Sequence, residues 1–174
     1  GRSRSSETGV GRTRSTSCES SVGLFPRVSS LTATMRMPAS PFLDTNVLIY
    51  SVAKNDARSE VAEALLAAGG VVSVQVFNEF AATARRKLGM SWDDITEVLN
   101  AVRVLCPSPR AVSIDTHDAA VRIARTHGFH MYDALVVASA LAADCETLYT
   151  EDLQDGQIID ERLTIRNPFK ALVG

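Results

Sequence analysis

Four acidic residues stand near the ends of short apolar runs or in the first turns of a helix: Asp44, Glu79, Asp133 and Asp152. Asp44 closes the run Phe42-Leu43, and Thr45-Asn46 open the helix that follows. Read physically, a buried strand delivers Asp44 to its carboxyl end, the edge where open α/β sheets bind ligands. Asp is also a favoured helix N-cap, and for Asp44 alone capping is the simpler account. The others shift the balance. Asp152 lies just past the strand-like Thr147–Thr150, and Asp133 lies in the first turn of a helix apolar nearly all round. Glu79 sits opposite the Phe77/Phe80 stripe of its helix, yet that helix starts at the same sheet edge. Asp155 is a further candidate, although Leu153 to Gly156 reads as a loop, and Asp115 and Asp118 read as capping residues. Carboxylates crowded at one edge raise one another's pKa unless a cation compensates. An all-oxygen set suits Mg²⁺ or Mn²⁺, and no Cys or His spacing suggests zinc. Such an ion polarises a phosphodiester and lowers the pKa of a bound water.

The elements that must position these groups follow from the pattern of apolar residues. A strand ending at Asp44 leads into a short helix through Tyr50, then a helix over about 56–68 that Gly69-Gly70 stops. Val71-Val72-Ser73 reads as a short buried strand, with Ser73 placed to cap a helix over about 74–88 whose stripe is Phe77, Phe80, Ala81, Ala84 and Leu88. After Ser91 a further amphipathic segment turns Trp92, Ile95, Leu99 and Val102 inward, and the prolines of Cys106–Arg110 mark a connection. A helix over about 116–127, capped by Asp115 and stopped by Gly128, places His127 on the stripe of Ala120, Ile123 and Ala124, as a core or rim residue and not a ligand. A buried helix over about 132–143, a strand over 147–150 and a last strand over 163–165 complete the chain. Short strands alternating with helices predict an α/β domain with a short central parallel sheet flanked by helices.

Charge and composition divide the chain. Residues 1–40 hold six Arg and two Glu, a charge of +4, which leaves −6 on the rest of a chain whose total is −2. An acidic domain is not the footprint of a general nucleic-acid binder, so a polyanionic substrate would need local basic residues or bound metal. Residues 1–38 are rich in Ser, Arg, Thr and Gly without periodicity and read as a disordered tail or leader, with the domain over 39–174. A transit peptide also fits that composition. The plainer readings are an expression leader or a stretch upstream of a start at Met35 or Met37. Three cysteines form no metal spacing and fit reduced thiols in a cytoplasmic protein. The longest apolar stretch, 134–143, is too short to span a bilayer.

Four segments together resemble the PIN-domain ribonucleases. Phe42-Leu43-Asp44-Thr45-Asn46-Val47-Leu48-Ile49-Tyr50 and Ser73-Val74-Gln75-Val76-Phe77-Asn78-Glu79-Phe80 are similar to the first two motifs. Tyr132-Asp133-Ala134-Leu135-Val136-Val137-Ala138 and the run from Leu148 to Gly156 are similar to the third and fourth. The resemblance spans about 41–170 and is strongest to VapC-type toxins of toxin–antitoxin pairs. It implies a PIN-like fold and a metal-dependent endoribonuclease, with Asp44, Glu79, Asp133 and Asp152 around Mg²⁺ or Mn²⁺. It implies supporting roles for Asn46 and Thr150, an RNA substrate, a cognate antitoxin and a homodimer. Met131 stands where an aromatic is more usual, which touches packing and not the chemistry.

Charge adds two expectations. Arg85, Arg86 and Lys87 either contact RNA phosphates or simply complement a helix C-terminus. An acidic pocket without metal would accept a basic side chain, so an inhibiting partner is expected to insert an Arg that competes with the ion. The alternatives are a catalytically silent PIN-like binding module and a haloacid-dehalogenase-type phosphatase. The latter wants a second Asp where this chain has Asn46.

Overall fold

A computed structural model describes residues 40–53 and 56–172. The expectations for the tail, 1–38, therefore lie outside the described residues. Strand β1 (Phe42–Leu43) is fully buried and leads through Asp44 into helix α1 (Thr45–Val52). Helices α2 (Ser59–Ala68), α3 (Val74–Lys87), α4 (Trp92–Leu105), α5 (Ile114–His127) and α6 (Met131–Ala142) follow before strands β2 (Thr147–Tyr149), β3 (Ile158–Ile159) and β4 (Leu163–Arg166).

The sheet runs β1-β2-β4-β3, with β1, β2 and β4 parallel and β3 antiparallel to β4. Register places Phe42 opposite Leu148 and Leu43 opposite Tyr149, so Asp44 and Thr150 leave the sheet side by side. The segment expected as a strand at 71–73 joins the other side of β1 through single bridges: Leu43 N–H donates to the Val71 carbonyl at 2.9 Å. Gly70 is required at this approach, because a Cβ there would lie 2.9 Å from both the Leu43 side chain and the Pro41 carbonyl. Arg110, expected within a connection, bridges Ser73 at the outer edge, its N–H donating to the Val72 carbonyl at 2.8 Å.

All six expected helices are present, some with shifted boundaries or corrected caps. Ser73 caps α3 and Ser91 caps α4 in a capping box with Asp94. Helix α5 begins two residues earlier than expected and is capped by Ser113, so Asp115 falls in its first turn and complements the helix dipole instead. Gly128 ends α5 in the left-handed conformation (φ 73°), as its position predicts. Ile95 and Val102 of α4 are buried, but Trp92 is 61% exposed. Trp92 is the first residue of α4, ahead of the turns that pack on α3, and the Arg85 guanidinium lies 6.0 Å from its ring. Leu88, expected on the apolar stripe of α3, sits past its last turn and is exposed. Helix α6 is buried without interruption from Ala134 to Leu141, and that packing makes it the inner helix of the domain.

Candidate active site

Three chain ends meet at the carboxyl edge of the sheet. Strand β1 supplies Asp44, α3 starts from Ser73 and carries Glu79 two turns along, and β2 runs out through Thr150 to Asp152. Asp44 is 6% exposed and does cap α1, its Oδ1 accepting from Thr45 N–H at 2.6 Å. The capping and functional accounts of Asp44 are therefore compatible, since Oδ2 points the other way. There it accepts from the Thr150 hydroxyl at 2.6 Å and from the Asn46 amide at 3.4 Å.

Asn46 and Thr150 hold the pocket together. The Asn46 Nδ2 group donates to Thr150 Oγ1 at 3.2 Å and to Asp152 Oδ2 at 3.4 Å. Thr150 Oγ1 also accepts from the Asp152 backbone N–H at 3.1 Å, fixing the turn that carries that carboxylate. Glu79 is oriented by two donors: Thr45 Oγ1 reaches its Oε2 at 3.0 Å and Gln75 Nε2 its Oε1 at 2.6 Å. The sequence reading missed both residues. The Gln75–Glu79 spacing of four was a usable signal, whereas the Thr45 contact depends on α1 packing against α3.

Electrostatics connect all four carboxylates. Burial pushes the Asp44 carboxyl up to about 7, against the hydrogen bonds from Thr150 and Thr45, and the charges of Asp152 and Glu79 push the same way. Asp133 is also raised, first by burial and then by Asp152 and Glu79. The structure thus brings Asp44, Glu79, Asp133 and Asp152 into one electrostatic neighbourhood. Asp155 is not part of it. Its carboxylate accepts from Asn167 N–H and Lys170 Nζ, both at 3.0 Å, and ties the β2–β3 loop to the C-terminal segment.

Among the described residues, no group of three or more His, Cys, Asp or Glu side chains forms a ready-made metal cage. The donor set nevertheless fits a hard, partly hydrated cation, which takes one or two carboxylates and keeps several waters. Among the described residues one buried acceptor is also left over: Asn46 Oδ1 has no hydrogen-bond partner there. Buried acceptors are rarely orphaned, and a water of a hydrated ion would satisfy this one.

Of the expected basic cluster, Arg85 donates to the Met90 carbonyl at 2.9 Å, which anchors the chain beyond α3. Arg86 and Lys87 are exposed. A second network went unread in the sequence. Arg58 stacks 3.7 Å from the Tyr50 ring centre and donates to Tyr50 Oη, to Glu151 at 3.3 Å and to Asp56 at 2.8 Å. Tyr50 Oη in turn donates to Glu151, the neighbour of Asp152.

The mostly parallel sheet with its flanking helices is the fold of a PIN domain, and the chain belongs to that family, whose match covers residues 42–154. The chain is similar in fold to VapC20 of Mycobacterium tuberculosis, described as a Sarcin-Ricin loop cleaving toxin. The two are 22% identical with a TM-score of 0.52, over 65% of this chain and 90% of that one. It is likewise similar to VapBC2 from Rickettsia felis, solved bound to a DNA fragment from its promoter, at 18% identity and a TM-score of 0.52, over 73% and 98% of the two chains. No curated protein is similar enough in sequence to count as a relative. No helix among the described residues is long and apolar enough to cross a membrane.

Proposed function

We propose that the chain is a metal-dependent endoribonuclease, the toxin of a toxin–antitoxin pair, with Asp44, Glu79, Asp133 and Asp152 as its working carboxylates. The observation that carries this reading is the buried Asp44, raised to about 7 beside Asp152 and Glu79 and braced by Asn46 and Thr150. A buried carboxylate with acidic neighbours costs stability unless a cation meets it. Membership of the PIN family and the fold shared with VapC proteins support the same reading and set the phosphatase alternative aside.

Asp44 and Asp133 are the main ligands for Mg²⁺ or Mn²⁺, with Glu79 and Asp152 completing the site partly through water. When bound, the ion supplies charge stabilisation to the phosphodiester and a water of lowered pKa. The chain's own residues do the rest. Thr45 and Gln75 hold Glu79 with its oxygens oriented, so that it accepts a proton from the attacking water. Asn46 and Thr150 fix the separation of Asp44 and Asp152. Arg86, on the helix face of Glu79, meets a flanking phosphate.

A cognate antitoxin inhibits by placing an Arg against the carboxylates, in competition with the ion. A homodimer belongs to the same proposal, and exposed apolar side chains such as Val104 and Ile114 are compatible with it. The reading is tested by incubating the full chain with total RNA in Mg²⁺, in Mn²⁺ and in chelator, beside a small phosphomonoester. Cut RNA in metal alone and an untouched phosphomonoester are expected. Equal RNA cutting in chelator, or none under any condition, overturns it.

A further inference from the structure

A cavity of about 320 Å³ opens beside Asp133 and Asp152, and its other walls have no part in the reaction above. Those walls include His127, Phe129, Gln154 and Gln157. His127 ends α5, and the left-handed turn at Gly128 folds Phe129 back onto it. The two rings stack with centroids 5.4 Å apart and planes 25° apart. Both are half-buried, so the stacked pair is held in place at the border of the cavity.

Gln154 and Gln157 lie between β2 and β3, where the backbone is tightly tied. Gln157 N–H donates to the Gln154 carbonyl at 3.1 Å, and Ile165 N–H donates to the Gln157 carbonyl at 2.8 Å. Their side-chain amides, by contrast, have no hydrogen-bond partner among the described residues. A fixed backbone therefore presents uncommitted donors and acceptors to the same cavity that the aromatic pair borders.

We propose that this cavity is a nucleobase subsite, which takes the unpaired base next to the scissile phosphodiester. The proposal rests on the nuclease reading for its position along the RNA. With two carboxylates on one side, the cavity disfavours a phosphate and suits a flat, uncharged occupant. Unstacked bases are recognised by stacking on aromatic side chains and by hydrogen bonds along their edges. An amide offers both a donor and an acceptor to such an edge. The volume falls within the range of small-ligand sites, about 300–1,000 Å³. The His127/Phe129 pair thus offers the base an aromatic surface to stack on, and Gln154 and Gln157 choose among bases.

The test titrates the full chain with each of the four ribonucleosides and with ribose 5-phosphate, following the Gln154 and Gln157 side-chain amide signals by NMR. Cut sites in a mixed-sequence RNA are then mapped for the chain and for Gln154→Ala and Gln157→Ala. At least one nucleoside is expected to shift those signals while ribose 5-phosphate does not. Phe129→Leu is expected to weaken that binding about tenfold, and the Gln variants are expected to flatten the base distribution beside the cut. Should Phe129→Leu fail to fold, the Gln variants carry the same comparison in nucleoside affinity. No amide shift with any nucleoside, or equal shifts with ribose 5-phosphate, overturns the subsite. RNA cutting with an unchanged base distribution in both Gln variants also overturns it and leaves the nuclease reading standing. Nucleoside binding at these amides without RNA cutting supports the subsite and removes the nuclease reading.

Discussion

Asp44 gives the site a signature that can be measured without RNA. Its carboxyl is raised from 3.8 to about 7, chiefly by burial, so without metal the fold favours the protonated form. A raised folded pKa contributes stability that is fully present below the unfolded value and is lost as pH rises through the folded one. The metal-free domain should therefore lose stability between about pH 4 and pH 7 on account of this group, by at most about 4 kcal/mol. Asp44→Asn should remove that loss. Denaturant melts in chelator should show the variant more stable than the parent at pH 8 and not at pH 4, the gain reduced because the new amide faces the Asn46 donor. An equal difference at both pH values would refute the assigned cause. Asp44 was legible in the sequence because a single residue both ends a strand and starts a helix. Its bracing by Asn46 and Thr150 was legible only through the family resemblance, since the two are 104 positions apart and meet only through the β1–β2 register.

Between elements, two contacts set where the carboxylates sit. At Gly70 the backbone passes against β1 so closely that any Cβ would strike Leu43 and Pro41. Gly70→Ala should cost roughly 1–3 kcal/mol in a denaturant melt and should weaken metal binding as well, because β1 carries Asp44. Calorimetric metal titration unchanged in the variant would show that β1 is not held from this side. The second contact is the Arg58 network, which joins the chain before α2 to the end of α1 and to Glu151. Its hydrogen bonds and charge hold Asp56 down at about 2 and raise the Arg58 guanidinium further. Arg58→Ala should cost about 1–2 kcal/mol through the lost stacking and hydrogen bonds. Arg58→Lys should not restore it, since an ammonium cannot stack and fork at once. Full recovery by Lys in thermal melts would reduce the contact to simple charge. The sequence pointed to these helices through the apolar run after Asp44 and the Gly69-Gly70 stop, but Arg58, Tyr50 and Glu151 carry no periodic signal. The helix starts slipped for a related reason: Ser113 and Asp115 are both good caps, and only the chain path past Arg110 selects Ser113.

For the whole domain, alternation of short strands and helices was enough to predict a short parallel sheet flanked by helices, and the four acidic residues gather near its carboxyl edge. What alternation could not show is the antiparallel β3, a two-residue strand with one exposed and one buried side chain. Nor could it show the cavity under α5, which depends on how Gly128 turns the chain. The proposed activity requires the four carboxylates to act together on an ion and a phosphodiester, and the rate of RNA cleavage in single variants tests that most directly. With saturating Mg²⁺, Asp44→Asn and Asp133→Asn should each slow cleavage about a thousandfold, as loss of several kcal/mol of charge stabilisation requires, while remaining folded by circular dichroism. Cleavage by either folded variant within a few fold of the parent would contradict the account.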